Sequence, residues 1–319
     1  MNDGVAVVDE AEGQAVPPRR AFYRRKRWAI PLGVLALLSL TAMAVWLARE
    51  RIADDVIADT LARNNIPATY KVESIAPDRQ TLRDIVIGDP ARPDLTIEEA
   101  VVHLRYRWGS PEITRVELVR PRLFGAWRNG RFSFGTLDRY LDRGSDKSPE
   151  LPAIDVVLAD GRARFVTPYG MIGVKAEGRG ALNNGFSGLV AATAPRLSVS
   201  GCNLTGTTLF GRIRTDNGAL RFAGPARVPL AGCSRFASVS DAVLQLDLTG
   251  TRDFDGVAGN AGITTGRVES GTVSTAGFGG TVRGSFRQGR ARASYTLAAR
   301  RLAHSAAAAA LVTFTGDAA

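Results

Sequence analysis

Reactive chemistry is scarce in this sequence. Its 319 residues include two histidines, His103 and His304, and two cysteines, Cys202 and Cys233. There is no Gly-x-x-x-x-Gly-Lys phosphate loop, no complete Gly-x-Gly-x-x-Gly and no His-Glu-x-x-His. Gly185-Phe-Ser-Gly188 lacks the spacing of a nucleophile elbow. His103 falls among arginines on the polar side of an alternating run and reads as a solvated residue, not a general base. Asp155 and Asp160 read as turn carboxylates. Two cysteines 31 apart with no histidine nearby lack the spacing of a metal site. The sequence therefore predicts no enzyme, no cofactor and no metal.

Lysine is also scarce, at four of the 41 basic residues, against 31 acidic ones. Residues 1–28 hold six basic and four acidic groups, which leaves 35 and 27, or +8, for the remainder. Outside the N-terminus no block of cations is interleaved with aromatics, so nucleic-acid binding is not expected. The basic excess fits contact with anionic lipid headgroups, and equally a basic, arginine-rich proteome.

Charge is entirely missing between Ala29 and Ala48. Twenty residues at about 1.5 Å each span about 30 Å, the hydrocarbon thickness of a bilayer. Trp28 and Trp46 sit near the two ends of the run, and Arg19, Arg20, Arg24, Arg25, Lys26 and Arg27 precede it. This predicts a transmembrane anchor at 29–48 behind a disordered basic tail, 1–28, with the N-terminus cytoplasmic and the bulk exported. Ala42-Met-Ala44 leaves a cleaved signal peptide as the alternative. Residues 49–64 place Ile52, Ala53, Val56, Ile57, Thr60 and Leu61 at helical spacing, and Asn64, Asn65 and Pro67 end that helix.

The centre of the pattern is 82–138. Ala100, Val102, Leu104, Tyr106 and Trp108 alternate with Val101, His103, Arg105 and Arg107. Successive side chains of a strand point to opposite faces, so one face is apolar and the other mostly cationic. After the turn signal Gly109-Ser110-Pro111, Val116 and Leu118 alternate with Arg115, Glu117 and Arg120. Asn129-Gly130 then precedes Phe132 and Phe134. A short helix is expected within 133–144, and the polar stretch 142–152 divides the chain into a segment 65–141 and a continuation 153–319.

In that continuation Ile154, Val156 and Leu158, then Leu244, Leu246 and Leu248, then Ala291, Ala293, Tyr295 and Leu297 alternate with mostly polar residues. Asp160-Gly161, Asn183-Asn-Gly185 and Asn217-Gly218 are turn signals. The pattern predicts a mainly β protein, a meandering antiparallel sheet with short flanking helices. The alanine-rich stretch Leu302 to Leu311 suggests the start of a helix, and the end from Val312 closes nothing. In an exported, oxidising space Cys202 and Cys233 read as a disulfide, with two buried free thiols as the alternative.

Several of these segments carry a resemblance. Leu82-Arg-Asp-Ile-Val-Ile-Gly-Asp-Pro90, Pro93-Asp-Leu-Thr-Ile97, Val116-Glu-Leu-Val-Arg-Pro-Arg-Leu123 and Asn129-Gly-Arg-Phe-Ser-Phe-Gly-Thr-Leu-Asp138 follow an N-terminal anchor in that order. Together they resemble the AsmA-like superfamily of bacterial envelope proteins, in particular its YdbH/TamB branch. The resemblance implies a curved, open β-groove whose apolar face carries phospholipid acyl chains between inner and outer membranes, from an inner-membrane anchor into the periplasm. It also implies much longer proteins, of which this chain would be a fragment or a truncated product. The lining candidates are Val102, Leu104, Tyr106, Trp108, Val116, Leu118, Phe132 and Phe134. They serve equally as the core of a closed sandwich. The other functional reading is an envelope module that binds outer-membrane or periplasmic protein partners without carrying lipid.

Overall fold

The computed structural model describes residues 67–107, 110–128, 131–138, 150–234, 237–304 and 307–318. The expected anchor at 29–48, the helix at 49–64 and most of 142–152 lie outside them.

The N-terminal strands are β1 (Ala68–Ile75), β2 (Arg79–Asp89), β3 (Arg92–Arg107), β4 (Ser110–Val119), β5 (Arg122–Arg128) and β6 (Arg131–Ser133). After the 139–149 gap come β7 (Asp155–Thr167), β8 (Gly170–Ala181), β9 (Ser187–Val199), β10 (Cys202–Asp216), β11 (Ala219–Cys233) and β12 (Ser238–Gly250). The series ends with β13 (Gly256–Thr264), β14 (Arg267–Ser270), β15 (Val273–Arg287), β16 (Arg290–His304), β17 (Ala307–Ala309) and β18 (Val312–Ala318). All belong to one curved sheet.

Most neighbours pair as sequential antiparallel hairpins, as the turn signals predict. The sheet is nevertheless mixed. β4 and β5 both run parallel to β7, Arg115–Val119 against Asp155–Ala159 and Arg122–Ala126 against Arg162–Val166. The two strands are one long strand bent at Arg120-Pro121. They share an offset of 40 residues from β7, and both face β3 on their other side. β13 and β14 likewise lie end to end between β12 and β15. With β6 a short flap on β5 and β17 end to end with β18, the described residues make the sheet fourteen strand positions wide.

Two local expectations fail, and a third is described only at its start. Asp160-Gly161 is not a hairpin turn, because β7 continues through it with a bend. Of the helix expected within 133–144, the described residues hold the end of β6, a 3-10 turn, Gly135–Leu137, and a helical residue, Asp138, while 139–144 lie outside them. Gly135 has φ +66°, outside the helical region, and Asp94 of β3 accepts from the Thr136 amide at 2.9 Å and its hydroxyl at 2.7 Å, which ties this turn to the sheet. The alanine-rich stretch 302–311 is not helical either. Leu302 and Ala303 pair with Ala309 and Ala308, so sheet pairing overrides the helix preference of alanine. The chain then continues into β18, on β16.

Two creases cross the sheet. At the first, Asp84 (φ 51°) of β2 faces Glu98, which faces Arg120 (φ 50°), which faces Asp160 (φ 49°). At the second, the line runs through Gly206 (φ 69°), Pro229, Asp241 (φ 51°), Gly266, Gly277 (φ 71°) and Arg300. A left-handed residue inside a strand bends it, and bends in register on adjacent strands bend the whole sheet. On either side of a crease the apolar residues step by three instead of two, as in Leu82 and Ile85, Ile97 and Ala100, or Ala299 and Leu302.

Candidate functional site

Cross-strand register decides which side chains share a face, because directly opposed residues point the same way. One row reads Ala68, Ile87, Leu95, Leu123, Ala163, Val174, Ala192, Leu209, Ala226, Leu244, Ile263, Gly280, Leu297 and Phe314, from β1 to β18. No polar side chain interrupts it. The next row along includes Ile85, Ile97, Gly161, Ala176, Val190, Gly211, Leu246, Ala261, Val282 and Tyr295, and is as free of charge. At about 4.8 Å per strand, each row is about 60 Å long.

The apolar face is the inner side of the bend. Small residues beside the creases are buried although the described residues form one layer. Ala299 is 0 % exposed, Ala194 4 % and Ala100 5 %, and Ile85 and Ile97 join Ala100 in one cluster. In a single layer such burial requires the two halves of each strand to close toward that face. Away from the creases most of the apolar residues are half-buried, Phe286 and Phe314 are exposed, and no large side chain is fully buried among the described residues. A filled sandwich core would bury them. The opposite face is mostly polar, although Val166, Met171 and Phe210 are exposed on it, and it carries exposed ion pairs, among them Arg83–Glu99 at 2.9 Å, Arg115–Asp155 at 2.6 Å and Lys71–Asp84 at 2.8 Å.

The expected lining residues fall as follows. Val102 opposes Val116, and Ala100 opposes Leu118, on the apolar face. Leu104 opposes Ile113 beyond a one-residue bulge. All of Val102, Leu104, Val116 and Leu118 are half-buried. The Phe134 ring packs edge-on against Phe165 of β7, with centroids 6.3 Å apart. Tyr106 and Phe132 lie on strands whose pairing is described, but their side chains, like all of Trp108, lie outside the described residues. His103 is on the polar face, with Nε2 2.9 Å from the Glu117 carboxylate, and is half-buried.

Much of the face was not singled out in the sequence. Val174, Leu209, Ile263 and Phe314 extend it far beyond the first strands. The alternation of Leu244, Leu246 and Leu248 was a usable signal for its continuation. The glycines and alanines in the rows gave none, since neither type marks a face by itself.

Cys202 and Cys233 oppose each other on β10 and β11 and form a disulfide. They share the apolar face with Leu204, beyond the second crease. Among the described residues no group of three or more histidine, cysteine, aspartate or glutamate residues is arranged to hold a metal ion.

Comparisons with characterised proteins and with solved structures return no match. With residues 36–313 matched by the profile of the YdbH-like family, described as intermembrane phospholipid transport protein YdbH, the chain belongs to that family.

Proposed function

We propose that the apolar face is a trough that carries phospholipid acyl chains while their headgroups stay in water. The family is one of phospholipid transport between membranes and not an enzyme class. One observation carries the reading: an apolar row runs uninterrupted across all fourteen strand positions on the side toward which the sheet bends, with no second layer over it among the described residues.

The energetics fit a conduit. Moving one chain of about 16 carbons through water costs on the order of 12 kcal/mol at about 0.8 kcal/mol per methylene. A continuous apolar surface removes most of that barrier. At about 60 Å the row is several times the depth of one bilayer leaflet, about 15 Å, so it suits a path more than a pocket for one lipid. The uncharged stretch 29–48 is the inner-membrane anchor in this reading, with residues 1–28 cytoplasmic, the sheet in the periplasm, and phospholipid as the cargo. Val102, Leu104, Val116, Leu118 and Phe134 line the trough with the residues added above.

A face-specific experiment tests this. A photo-crosslinking residue is placed at Leu104 or Leu209 on the inner side, and at Thr208 on the outer side, of the full-length protein in its native membrane. Phospholipid adducts at the two inner positions and not at Thr208 are the expected result. Equal yields on both faces, or none, remove the acyl-carrying trough and leave the module that binds protein partners.

A further inference from the structure

On the outer, polar face the crossing of β5, β7, β8 and β9 holds a dent of about 500 Å³. Register puts two rows of side chains around it. Arg122, Arg162, Lys175 and Ala191 form one, and Phe124, Arg164, Gly173 and Thr193 the other. Gly173 and Ala191 leave the floor low. A Cβ built at Gly173 would meet nothing nearer than the Thr193 hydroxyl oxygen, at 3.5 Å.

Four cations thus crowd one depression. Arg122, Arg162 and Lys175 sit directly opposite one another on successive strands, an arrangement of like charges that destabilises a sheet. One carboxylate answers them. Asp160 lies 3.1 Å from Lys175 and 3.4 Å from Arg162. Arg164 donates to the Met171 sulfur at 3.1 Å, and neither it nor Arg122 has a carboxylate partner among the described residues. On the same face Arg83 and Arg115 do have one, at 2.9 and 2.6 Å. Guanidinium groups around a small depression, with a threonine hydroxyl beside them, match the tetrahedral oxygens of a phosphate.

We propose that this dent binds a phosphate group, borne either by a free phosphate compound or by the headgroup of a phospholipid. Arg122 and Arg164 are its principal ligands, and Arg162, Lys175 and Thr193 complete it. The site is on the face opposite the trough, so it does not depend on the acyl-carrying reading and stands or falls separately.

The test titrates full-length protein in detergent micelles with inorganic phosphate and, separately, with glycerophosphoglycerol, a phospholipid headgroup without acyl chains that an apolar trough cannot retain. Chloride at equal ionic strength is the blank. The variants are Arg122→Gln combined with Arg164→Gln, and, independently, Gly173→Glu, which sets a carboxylate on the dent's floor. The expected result is saturable binding, weakened at least tenfold in both variants, with circular dichroism unchanged. Tighter binding of inorganic phosphate identifies a soluble phosphate compound as the source, and tighter binding of the diester identifies a lipid headgroup. Binding of neither probe above the chloride blank, or equal binding in wild type and both variants, overturns the proposal.

Discussion

Ala299 has no exposed surface, although the described residues form hardly any core, and it lies beside the second crease opposite Phe278 and Val312. The two halves of β16 come together there, and only a methyl group fits. Ala299→Leu should therefore destabilise the sheet by about 1–3 kcal/mol. Ala226→Leu, on a half-buried stretch of the same face, should cost far less. Urea unfolding of the two variants measures the difference, and equal costs would mean that the crease is not a closed corner. A second residue-scale prediction concerns Asp253, which a hydrogen bond from Thr251 holds at about 2, with contributions from Asp255, its own backbone and Arg287. Its folded pKa is below the ordinary 3.8, so its contribution to stability is complete above about pH 3.8 and is lost as pH falls through about 2. The carboxyl carbon resonance of Asp253 should titrate near 2 and move toward 3.8 in Thr251→Val.

At the scale of elements, the disulfide joins the ends of β10 and β11 and closes a loop across 31 residues. In the chain-entropy account that constraint is worth roughly 3–4 kcal/mol. Cys202→Ser with Cys233→Ser should lower stability by about that amount in thermal or urea unfolding, and reduction of the wild type should reproduce the loss. This pairing was readable from the sequence, as were the β class and the hairpins at Asn183-Asn-Gly185 and Asn217-Gly218, because each depends on residues close in the chain or on a pair without rivals. The parallel junction was not readable. It joins Arg115 to Asp155 and Arg122 to Arg162 across 40 residues, and no local pattern encodes that distance. The creases were hidden for a different reason. They replace the two-residue period by a three-residue step at Leu82 to Ile85 or Leu118 to Pro121, so that the alternation breaks where the sheet bends. Asp160-Gly161 misled most, since the residues that favour a left-handed hairpin turn are also those that favour a bend within a strand. The lining candidates were legible in β3 and β4, where large aliphatic side chains alternate with arginines. They faded from β8 onward, where Gly178, Gly188 and Ala192 keep the face apolar without announcing it.

At the scale of the whole sheet, a trough and a core answer differently to a buried charge, and the difference is measurable at Leu209. Leu209 lies mid-row, with Ala192 and Ala226 on either side. If the apolar face were filled by protein, a carboxylate there would be stranded without water, and Leu209→Glu would cost several kcal/mol and unfold the sheet. In a one-layer sheet the new side chain reaches water across the open side, so folding should survive with a loss of about 1 kcal/mol or less. The cargo would not be so tolerant. An acyl chain passing residue 209 would lose contact for about two methylenes, about 1.6 kcal/mol, which lowers occupancy of that stretch by roughly tenfold. The expected outcome is a folded Leu209→Glu protein whose lipid adducts at Leu104 and Leu297 fall by about that factor. Thr208→Glu, one residue away on the polar face, should leave both stability and adducts unchanged. A Leu209→Glu variant that unfolds would mean that the apolar rows are an interior, and the conduit would have to be abandoned along with its cargo.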